Sequence, residues 1–453
     1  MARKRLPPFD VRITGLADKG VGLGELEGRP VHVRGAPVGA TVHVRPAGRR
    51  KGVLRARRLH VVEAAPDAVA PQCGIFGLCG GCTLQEMPLE AQRREKEALA
   101  HQQVGDLSGV TVHPVEGSEA AYGYRNKVEL SFGTKRYLSD EDMAAGLPFG
   151  GRFLGFHAAG RFDRIVEPSP CALVSAELAQ VVEEVRSFLK ESRFEPWDVR
   201  AHTGFWRHLV LRETQLGERL VVLYTSEPPV GAREELVELS ARLSGVTGVL
   251  WMVNPRTGDA AIGDLREVLA GREWVEERLG SRHYKLSATA FFQTNTPGAE
   301  VLYDRIRSLA GGGQRLLDLY CGVGSIGLHL ADSFEEIVGV EINEKAVQDA
   351  RRNAAENRVE NARFIAGPAR EIVGQLQADV VVVDPPRVGL HPSVARWLST
   401  LPCERLIYVA CKPASLGRDR LILEEGGWRM TQLATVDLFP QTGHMEAVAL
   451  FER

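Results

Sequence analysis

The C-terminal third of the chain repeats one grammar, and that grammar leaves few folds open. QRLLDLYCGVGSIGLHLA (314–331) is an apolar run, a glycine loop and a helix-like segment. EEIVGVEIN (335–343) is a second apolar run, closing on an acid, and EKAVQDARRNAAENR (344–358) has the spacing of an amphipathic helix. ADVVVVDPPR (378–387) and ERLIYVACKP (404–413) are two further runs. A run as uniformly apolar as VVVV suits a strand buried on both faces. Strands alternating with helices predict an α/β fold over 288–453, a Rossmann-like, doubly wound parallel sheet.

In such sheets ligands bind beyond the carboxyl ends of the strands. The pattern sets Asp318, Glu341, Asp384 and Cys411 together on that rim. Asp318 opens a D-x-x-x-G-x-G sequence whose Gly322 and Gly324 let main chain approach a ligand at a helix start. Glu341, 23 residues on, suits the two ribose hydroxyls of a nucleoside cofactor. The glycine loop alone would equally serve a nicotinamide dehydrogenase. Asp384-Pro-Pro at a strand end looks like the substrate corner of a class I S-adenosylmethionine methyltransferase. A thiol such as Cys411 can add to carbon 6 of a uracil ring and make carbon 5 nucleophilic. The carbon 5 proton must then go to a base before the thiol leaves. Glu446, at the start of the last apolar run and two residues after His444, is the candidate; His444 is base or orienter.

The N-terminal region reads differently. Short apolar segments with period-2 patterning and glycine turns over 9–62 predict a small antiparallel barrel. Met1–His60 carries 14 Lys and Arg against 4 Asp and Glu, a balance of +10. The whole chain carries -2, so the rest sums to -12. A basic module on a mildly acidic body fits a nucleic-acid grip. Seven cysteines and no secretory or membrane-spanning run predict a reducing, cytoplasmic setting, with no membrane partner. Cys73, Cys79 and Cys82 form a C-x5-C-x2-C pattern, and Cys171 is the remaining thiol outside the sheet region. Four such thiolates suit zinc or a 4Fe-4S cluster, and spacing does not separate the two. Cys403 and Cys321 read as packing residues. The aromatic and basic stretch YGYRNKVELSF (122–132) suits either stacking on splayed RNA bases or a half-buried strand.

FFQTN (291–295), DLYCGVGSIGL (318–328), DPPRVGL (384–390), ACKPASLGRD (410–419) and HMEAVAL (444–450) together resemble the RNA uracil-5-methyltransferase family. That family makes 5-methyluridine in tRNA and 23S rRNA. The resemblance implies that Gln293, Tyr320, Glu341 and Asp384 contact or place S-adenosylmethionine, that Cys411 is the nucleophile and that Glu446 is the base. It favours a 4Fe-4S cluster on Cys73, Cys79, Cys82 and Cys171. It makes residues 20–44 similar to a TRAM domain, an OB-like RNA-binding barrel. The implied organisation is a barrel over 1–65, an α+β central domain over 66–287 with the cluster, and the methyltransferase domain over 288–453. The expected substrate is 23S rRNA, with tRNA the alternative, and the expected state is a monomer. One departure stands out: the family's usual asparagine after the nucleophile is Lys412, which could lower the thiol pKa or alter activity. A non-catalytic RNA-binding or ribosome-assembly protein keeping this fold is the rival that Lys412 admits.

Overall fold

The computed structural model describes residues 6–168, 170–372 and 377–453. Near the N-terminus five strands, Phe9–Ala17, Val21–Leu26, Arg29–Arg34, Thr41–Arg50 and Val53–Glu63, close into a barrel. Alternate residues such as Val11, Ile13, Val31, Val33, Val42 and Val44 fill it, as period-2 patterning requires. The pairing is not wholly antiparallel: Val31–Arg34 runs parallel to Leu54–Arg57. The last two strands form a long hairpin whose turn residues, Lys51 and Gly52, both take left-handed φ (49° and 82°), as a two-residue hairpin turn demands.

A seven-stranded sheet follows, running from Lys127–Lys135 to Asp264–Gly271. Helices Ala176–Glu191 and Ala232–Arg242 bury their apolar residues with it in one core.

The third sheet carries the motifs. Its seven principal strands are labelled here in chain order: β1 Gly313–Leu319, β2 Phe334–Glu341, β3 Ala362–Ala366, β4 Val380–Val383, β5 Arg405–Ala410, β6 Arg429–Asp437 and β7 Glu446–Glu452. The order is β3-β2-β1-β4-β5-β7-β6. Neighbours from β3 to β5 pair in parallel, and β7 runs antiparallel between β5 and β6. All four residues of β4 are fully buried, as their composition predicts. Strand order reverses between β1 and β4, which opens a crevice at their carboxyl ends. Two short strands from outside the region, Thr111–Val112 and Glu116–Gly117, pair with β6. Helix Leu89–Val104 packs on helix Pro413–Glu425, so residues 89–117 belong physically to this sheet. Among the described residues no helix is long and apolar enough to cross a membrane.

Candidate active site

Cys411 is the first residue beyond β5, and Glu446 is the first residue of β7. Ala410 pairs with Ala447 across these antiparallel strands, so the register brings Cys411 beside Glu446. Asp384 follows β4 directly, on the other side of β5. Three chain segments far apart in sequence thus deliver a thiol and two carboxyls to one rim. Glu446 is 3% exposed. Burial and the charge of Asp384 push its carboxyl up to about 8, with Arg387 opposing. Burial pushes Asp384 up to about 7. Burial, then Glu446 and Asp384, push the Cys411 thiol up to about 11. Arg387 is the cation that opposes this rise. Lys412 occupies the N-cap position of helix Pro413–Glu425 and makes no side-chain capping bond. Burial, then Arg387 and nearby lysines, lower His444 to about 4, so its imidazole is neutral at pH 7 and suits orienting better than carrying charge. A narrow cleft opens on Cys411 between Lys412, Arg387, His444, Lys96 and the barrel residue Lys19.

The glycine loop lies at the ends of β1 and β2. Asp318 is fully buried; Gly327 N–H donates to its Oδ2 at 2.9 Å, while Oδ1 has no partner. Burial pushes this carboxyl up to about 7 against that N–H, and Asp384 and Glu341 add to the rise. Tyr320 takes a left-handed φ of 64°, and the N–H groups of Tyr320 and Cys321 both donate to Val340 O, strapping the loop to β2. The two glycines do different work. A Cβ on Gly322 would meet nothing within 4 Å, which leaves its face open to a ligand. A Cβ on Gly324 would lie 2.9 Å from the Phe364 ring, so that glycine serves packing. Glu341 accepts from Gly322 N–H at 3.1 Å and Asn343 N–H at 2.8 Å, which fixes its carboxylate at the end of β2. An open glycine face, an orphaned buried acid oxygen and a held carboxylate fit a nucleoside that carries a cation.

Cys73, Cys79, Cys82 and Cys171 line one cavity of about 520 Å³. Burial raises Cys79 to about 11 and Cys82 to about 12, and the four thiols act on one another. Gly81 N–H donates to Cys79 Sγ at 3.3 Å, and Gln85 bridges the loop by accepting from Cys73 N–H at 3.1 Å. Among the described residues no three His, Cys, Asp or Glu side chains are gathered as a single metal ion requires.

The remaining candidates lie elsewhere. Gln293 is buried before helix Thr296–Ala310, its carbonyl accepting from Asn126 Nδ2 at 2.9 Å. Cys403 precedes the amino end of β5, opposite the rim, and Cys321 packs behind the glycine loop against Gly339. Tyr124 is buried and donates to Pro440 O at 2.9 Å, so it and Asn126 are spent on internal bonds and not free to stack on RNA. Sequence reasoning assigned no role to Arg387, although it closes the Asp-Pro-Pro motif, or to Lys19, whose place in the cleft depends on barrel docking.

A methyltransferase-domain family model matches residues 311–427. An "uncharacterized RNA methyltransferase" of Caldanaerobacter subterraneus subsp. tengcongensis is 35% identical over 98% of both chains. Another, of Chlorobaculum tepidum, is 36% identical over 98% of this chain and 96% of its own. The crystal structure of Pyrococcus abyssi tRNA (uracil-54, C5)-methyltransferase with S-adenosyl-L-homocysteine superposes with a TM-score of 0.77 at 27% identity, covering 98% of this chain and all of that one. Full-length similarity of this order, on a sheet that carries its acids and glycine loop at one rim, places the chain in the family of S-adenosylmethionine-dependent RNA methyltransferases.

Proposed function

We propose that this protein methylates carbon 5 of a uridine in structured RNA, with Cys411 as nucleophile and Glu446 as base. The observation that carries this reading is the pairing of β5 with β7, which sets the thiol beside a buried carboxyl. S-adenosylmethionine, held by Asp318, Gly322, Glu341 and the loop through Tyr320 and Gly324, supplies an electrophilic methyl group, with Asp384 and Gln293 assigned to its placement. Cys411 gives up its proton to solvent in the cleft that opens on it and bonds to carbon 6, and the ring electrons pass toward carbon 5. Once carbon 5 bears its new substituent, Glu446 accepts the carbon 5 proton. That C–H electron pair restores the ring double bond, and the C6–S bond breaks to return the thiolate. Burial holds both groups toward their neutral forms even with Arg387 beside them, and a bound sulfonium cation would favour their ionisation.

The barrel is assigned, as TRAM-like, to holding RNA. The cysteine cavity is assigned to a 4Fe-4S cluster on Cys73, Cys79, Cys82 and Cys171, which supplies cross-linking of the loop and no electron to the methylation. The substrate is 23S rRNA or tRNA; barrel and cysteine loop support the first, and the tRNA (uracil-54, C5) activity named for the Pyrococcus neighbour supports the second.

The test uses unmodified 23S rRNA and tRNA transcripts with labelled S-adenosylmethionine, for wild type and Cys411→Ala, followed by nucleoside analysis. Label in 5-methyluridine from one RNA, absent with Cys411→Ala, is expected. Label in another nucleoside overturns the chemistry.

A further inference from the structure

The loop Leu438–Met445 joins β6 to β7 and delivers Glu446. Such a loop would ordinarily be mobile, but in this one the five carbonyls from Leu438 to Thr442 are all bonded. Asn295 Nδ2 donates to Leu438 O at 2.9 Å, Tyr124 Oη to Pro440 O at 2.9 Å, and Lys96 Nζ to Phe439 O and Thr442 O at 3.3 and 3.2 Å. Lys96 is itself buried and paired with Asp437, the last residue of β6.

At the centre sits Gln441, 3% exposed and held at φ 67°, a left-handed conformation that a glutamine adopts only when its surroundings impose it. Its carbonyl accepts from Thr83 N–H at 2.9 Å and Leu84 N–H at 3.1 Å. Its own N–H donates to Gln92 Oε1 at 2.8 Å, and its Oε1 accepts from Gln92 Nε2 at 2.9 Å. Thr83 directly follows Cys82. One residue therefore binds the end of the cysteine loop on one side and lies five positions before Glu446 on the other. The barrel closes the same knot. A Cβ on Gly443 would lie 1.9 Å from Gly20 N, so the two backbones are in direct contact.

We propose that Gln441 is a positioning residue that couples the cysteine loop to the base, so that ordering of residues 73–84 fixes where Glu446 stands. The coupling is mechanical: each main-chain polar group of Gln441 is bound to a group outside its own loop, so residues 82–84 and 441–446 move as one unit. This deepens the reading of Glu446 as the base and rests on it. A slack loop leaves methyl transfer intact but slows removal of the carbon 5 proton. The enzyme then stays joined to RNA through the C6–S bond, because that bond breaks only as the proton leaves.

The experiment compares wild type, Gln441→Ala and Gln92→Ala; the second variant cuts the side-chain tie without touching the left-handed residue. Hydrogen exchange by mass spectrometry follows peptides covering 82–87 and 438–447. Denaturing gels follow the covalent complex with unmodified uridine RNA, alongside kcat, KM and their pH profiles. Both peptides should exchange at least tenfold faster in either variant. The covalent complex should accumulate while its release slows at least tenfold, with KM little changed. Faster exchange confined to 438–447 overturns the coupling. A lower kcat without accumulated complex, on an unshifted pH profile, overturns the positioning role. Absence of 5-methyluridine from wild type defeats the proposed function, and the exchange result alone then decides the coupling.

Discussion

Glu446 shows what burial does to a single group. A carboxyl whose folded pKa is raised to about 8 holds its proton more tightly folded than unfolded. Its contribution to stability is complete below the ordinary carboxyl pKa and is lost as pH climbs through about 8. Glu446→Gln is always neutral, so it should melt close to wild type at pH 5 and increasingly above it toward pH 9; thermal melts across that range check this. The same variant should trap the covalent RNA complex, since the amide cannot take the proton. Lys412 offers a second residue-scale test. It stands at an N-cap with extended φ and ψ but gives the helix no side-chain acceptor. Lys412→Asn, the residue usual in the resembling family, should stabilise the fold by about 1 kcal/mol, measured by denaturant unfolding. The sequence singled out this position by its residue type; its place at a helix N-cap follows only from the fold.

At the scale of elements, the site depends on close packing beneath the glycine loop. Gly339 sits in the middle of β2, where a Cβ would lie 2.4 Å from the Phe364 ring and 2.9 Å from Cys321 Sγ. Gly339→Ala should therefore cost about 1–3 kcal/mol as an overpacked core position. It should also weaken cofactor binding, because Cys321 belongs to the loop that Val340 straps down; melts and titration with S-adenosylhomocysteine measure the two effects. The strands were legible from their apolar runs and the loop between them from its glycines. The assignment of residues 89–117 to the catalytic sheet was not, because two-residue strands carry no periodic signal.

For the whole molecule, the charge asymmetry acquires a direction. The barrel's long hairpin carries Arg49, Arg50 and Lys51 at its exposed tip, and among the described residues none of them forms an ion pair. Replacing all three with Ala should weaken RNA binding without changing kcat at saturating RNA. The slope of log affinity against log salt should fall by about 0.7–0.9 per lost phosphate contact. An unchanged slope would show that the hairpin points away from RNA. The barrel also reaches the cleft at Cys411 from its other side, through Lys19 and through Gly20 against Gly443.

The sequence by itself determined the alternating elements, the rim on which Asp318, Glu341, Asp384 and Cys411 stand, and the basic character of the N-terminal module. Those follow from local period, composition and the rule that parallel strands present their ends to ligands. Only the tertiary structure decided that Glu446 faces Cys411, since that rests on an antiparallel register between β5 and β7. It alone showed that the thiol and carboxyls are driven toward their neutral forms, because burial is a property of the assembled chain. It alone drew the cysteine loop, the barrel and helix 89–104 onto the loop before Glu446, through hydrogen bonds spanning more than three hundred residues of sequence.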